Sequence, residues 1–515
     1  MKKAAGDGRD DKATPVGKGM RESSMRNLLW MSGGNGLSAI LKLLVLAVLG
    51  RLLTPEDFGL VGAALTIVAL AEVFGRIGIA PSIVQAPDLT LAMIKTGMVT
   101  TIAAGAIVAG LVYAFANRIA ALYAIPELDR FIEVFSLLFV VRGVGLVSEA
   151  LLLRRMQFRA LAGIAVVTYL IGYAVVSVSM ALMGFGAWAL VAGQICQVVL
   201  QTAMFLRLAP DAIQFGFDYS KFRQMMRFGI GVTLSKTANY VAQNADYFIV
   251  GRYLGATNLG YYTRAYLLLS QPAQLVGGTA NEVLFPAMSA VQSAPERLSR
   301  GLNLALKLCA LIQVPATVLL IVTAPEVVAV LIGDQWDSVV LPFRILVASL
   351  YFRTAYKFLA TLLRASGNVY YNSAWQWSYA ALVIVGASLG VPWGLEGVAL
   401  GVSLAVVLCF FSGLAVVRLI LGISARTGMV ALARYSGIGL VQLALLIILK
   451  AWLVALGLPD AAILLLLTLV CVLAFVSLLR IFPGFFGEEG ELLTPYLNRV
   501  LARLRPGGGS GNGGN

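Results

Sequence analysis

Apolar residues run along this chain in blocks of about 20, long enough to cross a hydrocarbon core of roughly 30 Å as helices. The blocks fall at 28–50, 58–80, 93–116, 131–153, 160–183, 186–207, 228–250, 259–283, 301–323, 338–363, 372–390, 396–420, 430–456 and 461–481. They predict an all-α, polytopic membrane protein with about 14 transmembrane helices. A membrane barrel is excluded, because its strands would alternate apolar and polar residues with period two. Polar links between blocks are short. The longest, RLAPDAIQFGFDYSKFRQMMR (207–227), divides the chain into a six-helix lobe at 28–207 and another at 228–420. Residues 208–227 read as the inter-lobe linker and 421–481 as two extra helices. Basic tail 1–27 and tail 482–515 flank the spans, and the terminal GGGSGNGGN reads as a flexible tail or linker.

Polar residues inside the blocks are not scattered. Asn35, Ser38 and Lys42 form one helical stripe in the first span. Lys236, Asn239, Gln243 and Asp246 form another in the seventh. A lipid-facing charge at mid-depth costs at least about 2.5 kcal/mol, so such groups are expected to face protein or water. Two readings stand for the amides and the serine: a shared cavity, or polar glue between helices. For Lys42 and Lys236 the cavity is favoured. Arg142 lies in the fourth span with Glu149 two turns on, and Arg264 opens the eighth, either lining a cavity or at the interface. Arg353 and Lys357, spaced i, i+4, put two cations on one face, which fits an expected anion or a snorkelling Lys357. Glu72 and Arg76 have the spacing of a helical ion pair, and Trp375 and Trp377 that of interfacial belt residues.

The chain also repeats itself. GRLLTPEDFG (50–59) returns as GRYLGATNLG (251–260), a shift of 201. The same shift carries Arg26 onto Arg227 and superposes the two polar stripes. A later echo, LLLRRMQFRALA (151–162) against LLRASGNVYYNSA (362–374), has a shift of 209, so the second half gains about eight residues between the echoes. An even span count per half makes the repeats parallel, with the working site between them.

Composition removes several alternatives. The chain is 59% hydrophobic and 12% charged, with a mean hydropathy of +0.86. It has no His, and Cys196, Cys309, Cys409 and Cys471 all lie in apolar blocks, so neither a metal site nor a disulfide frame is expected. The first residues lack the apolar core of a signal peptide. No phosphate-binding G-x-x-x-x-G-K-[ST] loop occurs, so no ATPase and no cofactor is expected. Outer loops are too short for the catalytic domain of a glycan polymerase, which argues against an enzyme. The net charge of +14 is spread over loops, fitting anionic lipid headgroups and not nucleic acid. Basic residues cluster in the N-terminal tail, at Arg154, Arg155 and Arg159, at Lys221, Arg223 and Arg227, and at Arg499, Arg503 and Arg505. Positive-inside then places both termini in the cytoplasm. Cations outnumber anions in the spans, which suits a phosphate-bearing substrate.

GRLLTPEDFGLVG (50–62), NADYFIVGRYLGATNLGYYTRAYLLL (244–269), VLFPAMSAVQSAPERL (283–298) and VPWGLEGVALG (391–401) resemble the Wzx-type polysaccharide flippases, a branch of the multidrug/oligosaccharidyl-lipid/polysaccharide exporter superfamily. The resemblance covers residues 24–481, and its exopolysaccharide and colanic-acid-like branch is nearest. It implies two six-helix lobes around a central cavity plus two C-terminal helices. It implies movement of undecaprenyl-diphosphate-linked oligosaccharides across the bacterial inner membrane, by alternating access, for exopolysaccharide, O-antigen or capsule. The partners it admits are that lipid, a coupling ion or proton, and a polysaccharide polymerase with its co-polymerase. A lipid II flippase, a drug/cation antiporter and a membrane glycan polymerase remain as alternatives. The family supplies no catalytic motif, so the substrate-binding residues expected are those of the polar positions: Asn35, Lys42, Arg142, Lys236, Asn239, Gln243, Asp246, Arg264, Arg353 and Lys357.

Overall fold

The computed structural model describes residues 41–75, 78–279 and 294–481, with residues 284, 288, 289, 291 and 486. Every regular element among them is helical. In chain order these are α1 (41–52), α2 (Pro55–Gly75), α3 (Ile79–Gln85), α4 (Leu91–Ala114), α5 (Ala116–Tyr123), α6 (Leu128–Arg154), α7 (Phe158–Leu182), α8 (Ala187–Leu208) and α9 (Tyr219–Thr279). The second half continues with α10 (Pro295–Val322), α11 (Ala324–Leu331), α12 (Val340–Ala348), α13 (Leu350–Ala365), α14 (Val369–Gly390), α15 (Gly394–Leu421), α16 (Arg426–Ala455) and α17 (Asp460–Ile481). α9 comprises the seventh and eighth expected spans, two helical segments joined at Gly255, whose backbone is not helical (φ 84°, ψ 176°). Among the described residues nine helices are long and apolar enough to cross a membrane, or ten when α12 and α13, bent by 44°, are taken as one span. One of the nine, Tyr370–Leu421, combines two expected spans.

The chain forms two compact units. One consists of the described parts of Met1–Leu46, Ala71–Ala114 and Glu133–Thr233. Its core packs Ile79, Ile83, Met98, Val147, Leu151 and Phe205. The other consists of Ala47–Leu70, Phe115–Ile132 and the remainder from Leu234. So two segments of the first half pack into a unit built mostly from the second.

Within this larger unit, the C-terminal helices are fixed by polar contacts as well as apolar ones. Val322, Leu446, Leu453, Ile463 and Leu467 form a small core among α10, α16 and α17. Asn303 on α10 donates to the Ser424 carbonyl (2.9 Å) and accepts from the Gly428 amide (2.9 Å). Gln442 donates to the Pro315 carbonyl at 3.1 Å. Lys450 pairs with Glu326 at 2.7 Å and donates to the Val322 carbonyl. Between apolar helices in lipid such bonds add what burial cannot, since lipid is as apolar as the partner helix. The outward side chains of α16, Leu440, Val441, Leu445 and Ile448 among them, are exposed as that environment allows.

One expectation is corrected. Trp375 is not a belt residue: it is 4% exposed, and its indole Nε1 donates to the Cys409 carbonyl and Ser412 Oγ, whereas Trp377 is half exposed. Glu72 pairs with Arg142 on another helix, and Arg76, its expected partner one turn on, lies outside the described residues. Side chains on one helix cannot face each other across a bundle, but those on facing helices can.

Candidate functional site

The two copies of the repeated segment touch each other. In the first, Thr54 and Asp57 cap α2 reciprocally: Asp57 Oδ2 accepts from the Thr54 amide (2.9 Å) and hydroxyl (2.8 Å), and Thr54 Oγ1 accepts from the Asp57 amide (3.2 Å). Pro55 follows at the first helical position, where its missing N–H costs nothing. In the second copy the turn is made by the bend at Gly255, and Asn258 Nδ2 donates to the Leu254 carbonyl at 2.8 Å.

The contact between the copies is reciprocal. A Cβ placed on Gly59 would stand 1.8 Å from the Ala256 carbonyl oxygen. A Cβ on Gly260 would stand 1.8 Å from the Pro55 carbonyl oxygen. The shift of 201 exchanges Gly59 with Gly260 and Pro55 with Ala256, so one contact is the image of the other. A second pair obeys the same rule. A Cβ on Gly50 would lie 2.9 Å from Ile332 Cγ2, and one on Gly251 2.9 Å from Tyr123 Cδ1. The shift of 209 carries Tyr123 onto Ile332, and α5 and α11, which end beside them, are short helices of 8 residues each. Contacts that map onto themselves in this way mark a local two-fold relation between the repeats. Both copies therefore lie side by side within the larger unit.

Other side chains brace the same contact. Trp336 is fully buried, donates from Nε1 to the Gly50 carbonyl at 2.8 Å, and meets Phe58 edge-on at 5.5 Å. Gln335 donates to the same carbonyl. Arg51 donates to the Val330 carbonyl at 2.8 Å, near the C-terminus of α11, where carbonyls lack helical partners. The Arg264 guanidinium lies 3.8 Å from the centre of the Phe58 ring. A cation over an aromatic face is worth about 0.5–2 kcal/mol.

A buried polar cluster lies deeper in the same unit. Asp246 is 1% exposed and accepts from the Tyr262 hydroxyl (2.8 Å) and the Tyr247 amide (3.0 Å). Arg353, 7% exposed, donates from Nη1 to the Tyr266 hydroxyl and lies over that ring at 4.7 Å. The rings of Tyr247, Tyr262 and Tyr266 pack together, with centres 5.4–5.9 Å apart. Nε and Nη2 of Arg353 are buried with no hydrogen-bond partner. Buried donors are nearly always matched, so this unmatched fork asks for an acceptor. Lys357, one turn on, is half-buried with Nζ 3.3 Å from the position a Cβ on Gly277 would take.

In the smaller unit, Glu72 and Arg142 form an ion pair at the edge of a cavity of about 130 Å³. Glu149, Gln201 and Thr202 also line it. Lys42 is exposed, with Nζ 6.0 Å from the Tyr169 ring.

The profile of the family described as polysaccharide biosynthesis protein matches residues 48–341. This chain belongs to that family. It is 29% identical over 311 residues to the succinoglycan biosynthesis transport protein ExoT of Rhizobium meliloti (strain 1021). That alignment covers 60% of the chain and 63% of the relative, somewhat under two thirds of its length. Identity to the lipopolysaccharide biosynthesis protein WzxC of Escherichia coli (strain K12) is 26% over 420 residues, 80% of this chain and 85% of that one. Among solved structures, the lipid II flippase MurJ in an inward closed conformation matches with a TM-score of 0.72 at 15% identity, covering 89% of this chain and 98% of MurJ. An inward-facing multidrug resistance transporter of the MATE family matches with a TM-score of 0.61 at 15% identity, covering 75% of this chain and 94% of that one. Likeness at that identity establishes the fold alone: a helical, multi-pass membrane protein.

Within this family member the expected polar positions separate. Asn239 and Gln243 are exposed and bonded to each other at 2.8 Å, while Asp246 on the same stripe is buried. Arg264, Asp246 and Arg353 fall in the larger unit, and Arg142 and Lys42 in the smaller. Asn35 and Ser38 lie outside the described residues, as does the side chain of Lys236. Sequence reading passed over Tyr262 and Tyr266, although both stand in the YYTRAY stretch that drew attention to Arg264. Their phenols are the nearest partners of the two buried charges. It also passed over Lys450 and Glu326, each a lone charge near or within an apolar block, which was the available signal.

Proposed function

We propose that the protein is a flippase for undecaprenyl-diphosphate-linked oligosaccharide units, working in the bacterial inner membrane with both termini in the cytoplasm. The unmatched guanidinium of Arg353 carries this reading. A group with two idle buried donors suits an anion, and a diphosphate offers several charge-assisted acceptors. A drug/cation antiporter would instead want an idle carboxylate, and Asp246 is already bonded by Tyr262 and Tyr247. The names of the relatives, in polysaccharide and lipopolysaccharide biosynthesis, support the substrate class.

Lys42, Lys236 and Lys357 join Arg353 in neutralising the diphosphate, and Asn35, Asn239 and Gln243 face the sugar. Arg142 and Arg264 act from closer to protein partners, one in an ion pair and one over Phe58. A diphosphate does not cross hydrocarbon bare, since an isolated ion pays tens of kcal/mol in an idealised low-dielectric medium. Several spread cations offset that cost without holding the ligand so firmly that release stalls. The protein performs no bond chemistry in this scheme. An ion or proton gradient drives it, and a polymerase with its co-polymerase receives the unit on the far side. Alternating access opens and closes the end where Gly59 meets Ala256. By the positive-inside rule that end is the outer one.

The test is flipping of fluorescent lipid-linked oligosaccharide in proteoliposomes, with equal amounts of folded protein. Arg353→Gln is expected to lower the rate at least about tenfold, the scale of one lost charge-assisted bond of 1.5–3 kcal/mol. Arg353→Lys is expected to retain more. Wild-type flipping by Arg353→Gln would discard the anion-binding role, and no flipping by the wild-type protein would discard the function.

A further inference from the structure

The inter-lobe linker is pinned to the smaller unit along one edge and presents a row of bare apolar side chains along the other. Residues 213–218 have no regular structure and connect α8 to α9. Four attachments fix them. Ala209 and Ala212 are completely buried at the start. Asp211 pairs with Arg155. Gly216 lies against the Lys95 stem, where a Cβ would stand 3.1 Å from Cδ. The Asp218 amide donates to Thr96 Oγ1 at 3.0 Å. At every second position the side chain points outward instead: Ile213 is 43% exposed, Phe215 66%, Phe217 57% and Tyr219 70%. Phe217 and Tyr219 share Phe222 as a ring neighbour at 5.4 and 6.4 Å.

This row sits among cations. Arg207, Arg223 and Arg227 are exposed and Lys221 is half-buried. The two acids of the segment are engaged. Asp211 is held by Arg155, and Asp218 Oδ1 accepts from the Ser220 and Lys221 amides at the start of α9. The row directly follows α8, a candidate membrane span, so it lies where a span ends. Aromatic side chains interleaved with basic ones at that depth match the chemistry of a headgroup layer: apolar rings below, phosphates above.

We propose that residues 213–219 form a lipid-docking comb, which inserts Ile213, Phe215, Phe217 and Tyr219 into the leaflet facing the basic loops and recognises anionic headgroups through Arg207, Lys221, Arg223 and Arg227. The linker thus acts as a fixed anchor of the smaller unit to a charged membrane surface, independent of the substrate carried. Anionic lipid is the occupant because the exposed charge is basic and the acids are spent within the fold. The attraction falls off within a Debye length, so it acts on a surface in direct contact.

Hydrogen–deuterium exchange on the full-length protein in nanodiscs tests this. Discs of phosphatidylcholine are compared with discs of phosphatidylcholine mixed with phosphatidylglycerol. Amides of 213–219 are expected to exchange several-fold more slowly in the anionic discs, while those of Ala116–Tyr123 stay unchanged. The charge variant Lys221→Glu/Arg223→Glu is expected to lose the difference between the two lipids. The comb variant Phe215→Ser/Phe217→Ser/Tyr219→Ser is expected to exchange fast in both. Equal exchange of the wild-type segment in both lipids would overturn the proposal. So would slow exchange that survives in the comb variant, because protein contacts would then be the cause. Protection that rises with protein concentration in detergent would also overturn it, by making a second copy the occupant.

Discussion

Gly59 and Gly260 occupy equivalent places in two copies of one segment, and each lies against the backbone carbonyl of the other copy's turn, at Ala256 and Pro55. No side chain intervenes, so the two backbones meet as closely as backbones can. Such an approach excludes a methyl group, because both obstacles are carbonyls and neither can swing aside.

Gly59→Ala and Gly260→Ala are therefore each expected to prevent this end from closing, at a cost of about 1–3 kcal/mol per overpacked site. Flipping in proteoliposomes should fall in each. Gly62→Ala, where a Cβ meets only the Thr263 side chain, at 3.4 Å from Cγ2, is the matched control and should stay near wild type. Normal flipping by Gly59→Ala would show that closure here is not needed for transport.

The Glu72–Arg142 pair predicts a stability effect in the smaller unit. Both partners are largely buried, 16% and 27% exposed, so removing Arg142 takes a close cation from a buried carboxylate. Arg142→Ala is expected to cost about 3–5 kcal/mol, and a Glu72→Gln/Arg142→Met double variant clearly less. Thermal unfolding in detergent reads the difference. Equal losses for the single and double variants would mean that packing, not the lost charge contact, sets the cost.

Lys450 and Glu326 predict how the C-terminal helices stay attached. Lys450→Ala leaves Glu326, 5% exposed, without its cation and is expected to loosen α16 and α17. Limited proteolysis in the link between α15 and α16 should then cut earlier than in wild type. A Lys450→Met/Glu326→Gln double variant should be cut at close to the wild-type rate, since no bare charge remains.

Tyr262 predicts the behaviour of Asp246. Tyr262→Phe removes the hydroxyl that donates to Asp246 and nothing else of size. A hydrogen bond to a charged group contributes about 1.5–3 kcal/mol, so the melting temperature should drop measurably. Adding Asp246→Asn to Tyr262→Phe should cost little more than Tyr262→Phe alone, because the partners form one unit. Fully additive losses would separate them.

Sequence alone determined the helical, membrane-spanning class, since runs of about 20 apolar residues leave the backbone no other way to satisfy its polar groups in lipid. It also determined the repeat: the shifts of 201 and 209 both reappear as pairs of matching contacts, Gly59 with Gly260 and Gly50–Ile332 with Gly251–Tyr123. Partners were another matter. In lipid both faces of a span are apolar, so hydropathy does not separate a buried ring from a lipid-facing one, and only packing placed Trp375 inside. The polar stripe of the seventh span was legible as a stripe, yet its members parted: Asn239 and Gln243 exposed and bonded to each other, Asp246 buried against Tyr262 across the bend at Gly255. Glu72 found Arg142 seventy residues away, a partner its spacing gave no sign of. Each of those pairings depends on which helices face each other, and that is settled by the three-dimensional fit of small and large side chains along whole helices.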